Sequence, residues 1–289
     1  MSTSELVLLT GAAGKTGRQV LKALVARQFP VRTLVRRQEQ EKAMRSLGAA
    51  DVAIGDLYDS RSLEAALTDC TKIVHICPPM DPGETEIAET LIELSQKSDI
   101  RHFVLYSVLH PLLRDVPHHH RKLEAERALV NSGLTYTILQ PARYMQHLLP
   151  LWDSLQETGV HSMPFSTDVQ FCVVDLADLA EVTALVAAES GHEQATYQLA
   201  GPQNLSQADM AEILSRLLNR KITAEPRSSQ DTLERMAAAG MSAARIENFR
   251  LMNDHYDHYG MTGNPGVLRW LLGREPTSYE EFVRREFLS

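Results

Sequence analysis

The stretch Glu5-Leu6-Val7-Leu8-Leu9-Thr10-Gly11-Ala12-Ala13-Gly14-Lys15-Thr16-Gly17 decides how this chain folds. Residues 5–10 form a nearly continuous apolar run, the pattern of a parallel strand buried on both faces. Beyond the glycines, residues 15–27 read as an amphipathic helix with Val20, Leu21, Leu24 and Val25 on one face. A glycine turn between a strand and a helix is the context that a dinucleotide-binding fingerprint requires. Gly11 permits the tight turn, Gly14 lets the backbone approach a pyrophosphate, and Gly17 lets the helix pack closely on the strand. Ala13, Lys15 and Thr16 complete the cradle, and the helix N-terminus adds amide donors and a positive dipole end. The spacing is G-x-x-G-x-x-G and departs from G-x-G-x-x-G. A phosphate loop ending in Gly14-Lys15-Thr16 is excluded, because it needs glycine where Leu9 stands.

Outward from this turn, strands and helices alternate. Residues 31–35, 51–54, 72–77, 102–106 and 135–139 read as strands, while 39–47 (closed by Gly48), 60–67, 84–96 and 119–131 read as helices. That alternation is the signature of βαβ units, and right-handed crossovers make of it a doubly wound parallel sheet with a ligand crevice at the carboxyl ends of its strands. After residue 141 the pattern loosens into a strand at 171–174, a helix at 178–188, a short strand at 196–199 and a helix after Ser206. Asp175 and Asp178 read as helix-start residues, and Thr277-Ser278-Tyr279-Glu280 reads as the capping box of a last helix. The expected fold is α/β: a doubly wound Rossmann domain over residues 1–150 and a small C-terminal α/β substrate lobe over residues 151–289. Some later segments are expected to return to the Rossmann sheet.

The end of the second strand, Val35-Arg36-Arg37, holds no carboxylate for a ribose 2′-hydroxyl. A guanidinium there suits a 2′-phosphate instead, so Arg36 points to NADP(H) rather than NAD(H). After the third strand, Asp56 and Leu57 stand where a carboxylate can accept from an adenine amino group; a turn aspartate is the alternative. Cys77 and Pro78 end the fourth strand beside the expected cofactor cleft.

Asp+Glu total 37 and Lys+Arg 29, a formal net charge of −8 that argues against a broad nucleic-acid interface. No apolar run approaches the roughly 20 residues that span a bilayer, and the opening residues read as a strand, not a signal peptide. Cys70, Cys77 and Cys172 lack metal-ligand spacing, which predicts reduced thiols, no metal and a cytoplasmic setting.

The segments Thr10-Gly-Ala-Ala-Gly-Lys-Thr-Gly17, Thr33-Leu-Val-Arg36, Gly55-Asp-Leu57 and Tyr136-Thr-Ile-Leu-Gln-Pro-Ala-Arg-Tyr144 resemble the NmrA-like group of atypical short-chain dehydrogenases. The resemblance covers most of the chain and implies a Rossmann sheet, a small substrate lobe and a preference for NADP(H). It also implies a divided family, in which some members reduce quinones, dyes or C=C bonds and others bind the dinucleotide as a redox signal. Carried onto this chain, it makes Ser107 the family serine and Lys122 the family lysine, and Pro141 and Ala142 the contact to the nicotinamide carboxamide. The tyrosine expected four residues before the lysine is His118, so the Ser-Tyr-Lys triad is broken.

His118 can serve as the proton donor, or the proton can come from water when the acceptor is extensively conjugated. Otherwise His118-His119-His120 is an exposed polar run at a helix start. Lys122 either faces the nicotinamide ribose or is a solvated lysine paired with Glu126. Tyr144, Met145 and His147 either line a pocket for a flat acceptor or pack within the lobe. The resulting expectation is an NADPH-dependent oxidoreductase passing hydride to a quinone-like or other conjugated small molecule. A non-catalytic NADP(H)-sensing regulator acting through a protein partner is the second reading. A sugar-nucleotide epimerase or dehydratase is a third, disfavoured by His118 and Arg36.

Overall fold

The apolar run at the start forms β1 (Val7–Leu9), and all of it is sealed from solvent, as a strand covered on both faces must be. The structure, a computed structural model, describes residues 5–288. The chain continues through α1 (Lys15–Ala26), β2 (Val31–Val35), α2 (Glu41–Ser46), β3 (Asp51–Ile54), α3 (Ser60–Leu67), β4 (Lys72–His75), α4 (Glu84–Gln96), β5 (His102–Tyr106), α5 (Pro117–Val130) and β6 (Tyr136–Pro141). Next come β7 (Arg143–Tyr144), α6 (Trp152–Thr158), β8 (Val160–Met163), β9 (Phe171–Val174), α7 (Leu176–Ala188), β10 (Ala195–Leu199), β11 (Gln203–Leu205), α8 (Gln207–Leu218) and β12 (Thr223–Pro226). The last helices are α9 (Ser229–Ala238), α10 (Ala243–Tyr259), α11 (Gly266–Leu272) and α12 (Tyr279–Val283).

The chain divides into two compact units. The first holds the chain through Leu112, His119–Gln140 and Leu179–Tyr197; the second holds Leu113–His118, Pro141–Asp178 and the chain from Gln198 onward.

A seven-stranded sheet in the order β10-β6-β5-β4-β1-β2-β3 organises the first unit. From β3 through β2, β1, β4 and β5 to β6, neighbouring strands pair in parallel. β10 runs the same way, since Gln194 N donates to Tyr136 O (2.7 Å) and Ala142 N to Leu199 O (3.0 Å). This is the doubly wound Rossmann sheet that the alternation predicts. Its winding reverses between β1 and β4, and ligands of such sheets bind at the carboxyl ends beside that switch point. Leu8 faces a core with Leu63 and Leu67 of α3, Ile87 and Leu91 of α4, and Leu129 of α5. α1 buries Val20, Leu21 and Leu24, each worth about 1.5–3 kcal/mol when fully removed from water.

Two small sheets serve the second unit: β11-β9-β7, with β9 parallel to β7 and antiparallel to β11, and the parallel pair β12-β8. Met145, Leu148, Leu155, Val173, Leu214, Tyr279 and Phe282 share one core. Two buried aspartates pin the C-terminal segment. Asp175 pairs with Arg285 (2.6 Å), and Asp178 accepts from Arg274 (2.8 Å) and from Thr277 N (2.7 Å).

Some boundaries move for identifiable reasons. β4 stops at His75 because Ile76 N donates to the Thr10 hydroxyl (3.0 Å) rather than continuing the ladder. α5 starts earlier than expected, at Pro117, a residue suited to a first helical position. The final capping box is shifted by one: Ser278 and Glu281 exchange the reciprocal bonds, because Thr277 is spent on Asp178. Lys122 is not a solvated lysine: it is buried and pairs with Glu84 of α4. Nor are the three histidines an exposed run, since His119 is wholly buried, with Nδ1 2.8 Å from His110 O, and His118 and His120 are half-buried.

Candidate dinucleotide site

The glycine turn is held from beneath by Thr10. Its buried hydroxyl accepts from Ile76 N and lies 2.8 Å from His75 Nδ1, tying the end of β1 to the end of β4. Burial draws the His75 pKa down to about 3, so the neutral ring shares a single hydrogen bond with the Thr10 hydroxyl through Nδ1. Above this clamp, Gly11 sits at φ +63°, and a Cβ there would lie 2.4 Å from the carbonyl oxygen of Ile76. Only glycine meets both conditions. A Cβ on Gly17 would lie 2.3 Å from Gly11 O, so Gly17 serves the packing of α1 against the turn.

Gly14 is the N-cap of α1, with no side chain to cap the helix and no acid in its first turn. The leading amides of this helix are therefore unspent on protein side chains, and Gly14 and Lys15 are exposed while Ala13 and Thr16 are half-buried. A twelve-residue helix opening on bare amides and a positive dipole end is a site for an anion. The donor set, exposed helix-start amides with no side-chain cap, suits a pyrophosphate.

Arg36 follows β2 directly, at the same carboxyl edge of the parallel sheet. It is exposed and forms no ion pair among the described residues. Asp56 is also exposed, and one of its oxygens accepts from Tyr58 N (3.0 Å) in a local turn, while Asp59 caps α3. Leu57 packs against the core. Cys77 is buried after β4, and burial, then the charge of Glu84, push its thiol pKa up; such a thiol is not reactive. Pro78 is half-buried beside it.

Lys122 and Ser107 are both buried and both engaged. Lys122 Nζ pairs with Glu84, itself 2% exposed, and donates to Tyr106 O at the end of β5 (2.7 Å). Burial raises the Glu84 pKa, and Lys122 opposes that rise. Ser107 Oγ donates to Glu126, which also accepts from Gln140 Nε2 at 2.9 and 3.0 Å. Burial raises the Glu126 pKa against these hydrogen bonds. Glu84 is the residue that sequence reasoning missed, and Glu126, read from the sequence only as a helical partner for Lys122, bonds Ser107 and Gln140. Glu84 reads only as an acid in a first helical turn after Pro82-Gly83, and nothing local connects it to Lys122.

The remaining site residues belong to the second unit. His118 is half-buried, and Pro141 and Ala142 are buried where the chain leaves β6. Tyr144 and His147 stack on each other with ring centroids 5.8 Å apart. Met145 lies in the core of this unit, touching the cluster of Leu148, Val173 and Tyr279.

A doubly wound parallel sheet with a glycine cradle at its switch point defines a Rossmann-type dinucleotide-binding protein. The NmrA-like family model matches residues 3–283, and the chain belongs to that family. It is 27% identical over 283 residues to the NAD(P)H azoreductase of Xenophilus azovorans, covering 96% of this chain and 97% of that protein. In fold it resembles the NADPH-dependent quinone oxidoreductase QOR2 of Escherichia coli complexed with NADPH, with TM-score 0.83, 23% identity, and 97% and 99% of the two chains covered. It likewise resembles the Citrobacter sp. triphenylmethane reductase complexed with NADP(H), with TM-score 0.83, 23% identity, and 96% and 99% covered.

Proposed function

We propose that this protein is an NADPH-dependent oxidoreductase that passes hydride to a quinone-like or other conjugated small-molecule acceptor. The observation that carries the reading is the glycine cradle on the bare N-terminus of α1, with Arg36 free at the adjoining strand end. The names of the relatives, an NAD(P)H azoreductase and an NADPH-dependent quinone oxidoreductase, support the choice of cofactor and acceptor. Gly11, Ala13, Gly14, Lys15, Thr16 and Gly17 hold the pyrophosphate. Arg36 holds the 2′-phosphate, and Asp56 and Leu57 border the adenine. Cys77, Pro78, Pro141 and Ala142 flank the nicotinamide half.

NADPH, when bound, supplies the hydride: two electrons and one proton pass to the acceptor, and a second proton completes the hydroquinone. Lys122 orients the nicotinamide ribose and Ser107 the acceptor oxygen. His118 delivers the second proton in place of the family tyrosine. Tyr144, Met145 and His147 shape the acceptor pocket. No helix among the described residues is long and apolar enough to cross a membrane. All three cysteines are buried free thiols, which supports a cytoplasmic setting.

A second reading rests on one observation. Lys122 and Ser107 are both bonded to internal carboxylates, an arrangement that also suits a sensor which binds NADP(H) and reports it to a protein partner. Lys122→Ala separates the two. As an enzyme the protein loses quinone turnover in this variant while keeping most of its NADPH affinity. If turnover in Lys122→Ala equals that of the unaltered protein, Lys122 leaves the mechanism. A His118→Ala variant tests the proton donor: its turnover falls about 100-fold, the scale of general acid catalysis.

A further inference from the structure

Arg143, which follows the nicotinamide-flanking Pro141 and Ala142, opens β7 in the second unit, opposite Val173 of β9. Its guanidinium lies 5.2 Å from the ring centre of Phe171 and 5.3 Å from that of Phe165, and Nη2 is 3.2 Å from Met163 Sδ. Half-buried as it is, it has no carboxylate among the described residues within ion-pair distance, whereas the buried Lys122 pairs with Glu84. Two aromatic faces and a thioether soften the cost of desolvating a guanidinium but do not neutralise it. Burial draws its pKa down only to about 10, so it stays a cation at neutral pH.

Two buried polar groups of the same unit lack partners. His161 stands two residues before Met163 on the same face of β8 and is 1% exposed; its Nδ1 has no hydrogen-bond partner. Tyr279 is 2% exposed, and its hydroxyl has none either. Both feel the charge of Arg143. Buried polar groups left unsatisfied are rare in folded proteins and point to a group not present. A guanidinium without a carboxylate partner is matched by an oxyanion, whose planar or trigonal oxygens accept several donors at once.

We propose that Arg143, supported by His161 and Tyr279, is the recognition residue for an anionic substituent, a carboxylate or sulfonate, on the acceptor. This assignment rests on the reductase reading above and sharpens it, because it selects among conjugated acceptors those that carry a fixed negative charge.

The test compares Arg143→Met and Arg143→Lys with the unaltered protein on two acceptors, 1,4-naphthoquinone-2-sulfonate and the neutral 2-methyl-1,4-naphthoquinone. Arg143→Met removes a half-buried charge with no carboxylate partner and keeps an unbranched side chain against Phe165 and Phe171, so the fold is expected to survive. The expected result is a KM for the sulfonated quinone raised about 10-fold or more, that for the neutral quinone within about twofold, and kcat little changed. Arg143→Lys recovers part of the loss, since it keeps charge without the planar fork. Equal losses on both acceptors, or none on either, overturn the proposal. Inorganic sulfate at constant ionic strength is the second arm. Sulfate displacing the sulfonated quinone at equal affinity assigns the site to free anions and overturns the substituent claim. If neither quinone is turned over, the reductase reading fails separately, and titration of 2-naphthoate decides this one. Binding that Arg143→Met abolishes supports the anion site, and equal or absent binding refutes it.

Discussion

Lys122→Met is the most informative single perturbation of the folded protein. Lys122 and Glu84 are 6% and 2% exposed, so the substitution strands a carboxylate in a site that already disfavours its charge. Breaking a buried ion pair on one side costs about 3–5 kcal/mol, whereas replacing both partners by apolar groups of similar volume is near neutral or stabilising. The Tyr106 carbonyl, which accepts from Lys122 at 2.7 Å, loses that bond in both Met variants of Lys122, so the cost cancels between them. Lys122→Met should therefore lose several kcal/mol, and Lys122→Met/Glu84→Met should recover at least about 2 kcal/mol of it. Urea unfolding midpoints of the four proteins of this cycle at pH 7 give the coupling directly. A double variant no more stable than Lys122→Met would refute the claim that the pair, rather than side-chain packing, holds Lys122 in place.

Three further outcomes follow from the same structure. Arg36→Ala weakens NADPH about 10- to 100-fold, the worth of a charge-assisted contact, and NADH less than about twofold; equal losses in binding titrations would sink the 2′-phosphate assignment. Gly11→Ala places a methyl 2.4 Å from Ile76 O at φ +63°. It costs at least the roughly 1–2 kcal/mol of a left-handed non-glycine residue and abolishes NADPH binding; a variant that melts and binds like the parent would contradict the cradle geometry. His102, bonded to Thr137 Oγ1 (2.9 Å), has its pKa drawn down to about 4 by burial. A lowered histidine pKa gives stability that is present above about pH 6.5 and is lost as the pH falls toward 4. His102→Gln should therefore flatten the stability difference between pH 6.5 and pH 5 by about 2 kcal/mol, and an unchanged pH dependence of urea unfolding would refute it.

The first unit was legible because its rules are local. Strands such as Val31–Val35 and His102–Tyr106 are short apolar runs, and helices such as Ser60–Leu67 and Glu84–Gln96 carry 3.6-residue periodicity, so their ends fell where expected. The glycine turn was legible because strand, turn and helix are contiguous. Partnerships across the chain were not. Helical spacing offers Lys122 only Glu126 four residues later; folding also brings Glu84 from another helix onto Lys122 and sets Ser107 and Gln140 on Glu126. His119 reads as surface because histidine runs are polar, yet the turn at His110 supplies a carbonyl that lets it be buried. In the second unit β7, β8 and β12 are two to four residues long and owe their form to distant strands, and α9 has no buried residue to give it a clear apolar face.

The central claim is that this fold transfers hydride, and the most direct test is stoichiometry. Purified protein is mixed anaerobically with NADPH and 2-methyl-1,4-naphthoquinone, and NADPH loss and hydroquinone gain are followed together. The account predicts catalytic turnover, one NADPH consumed per hydroquinone formed, with NADPH strongly preferred to NADH. Tight NADPH binding with no turnover on this or any of a broad panel of quinones, azo dyes and enones would contradict it and leave the sensor reading in its place.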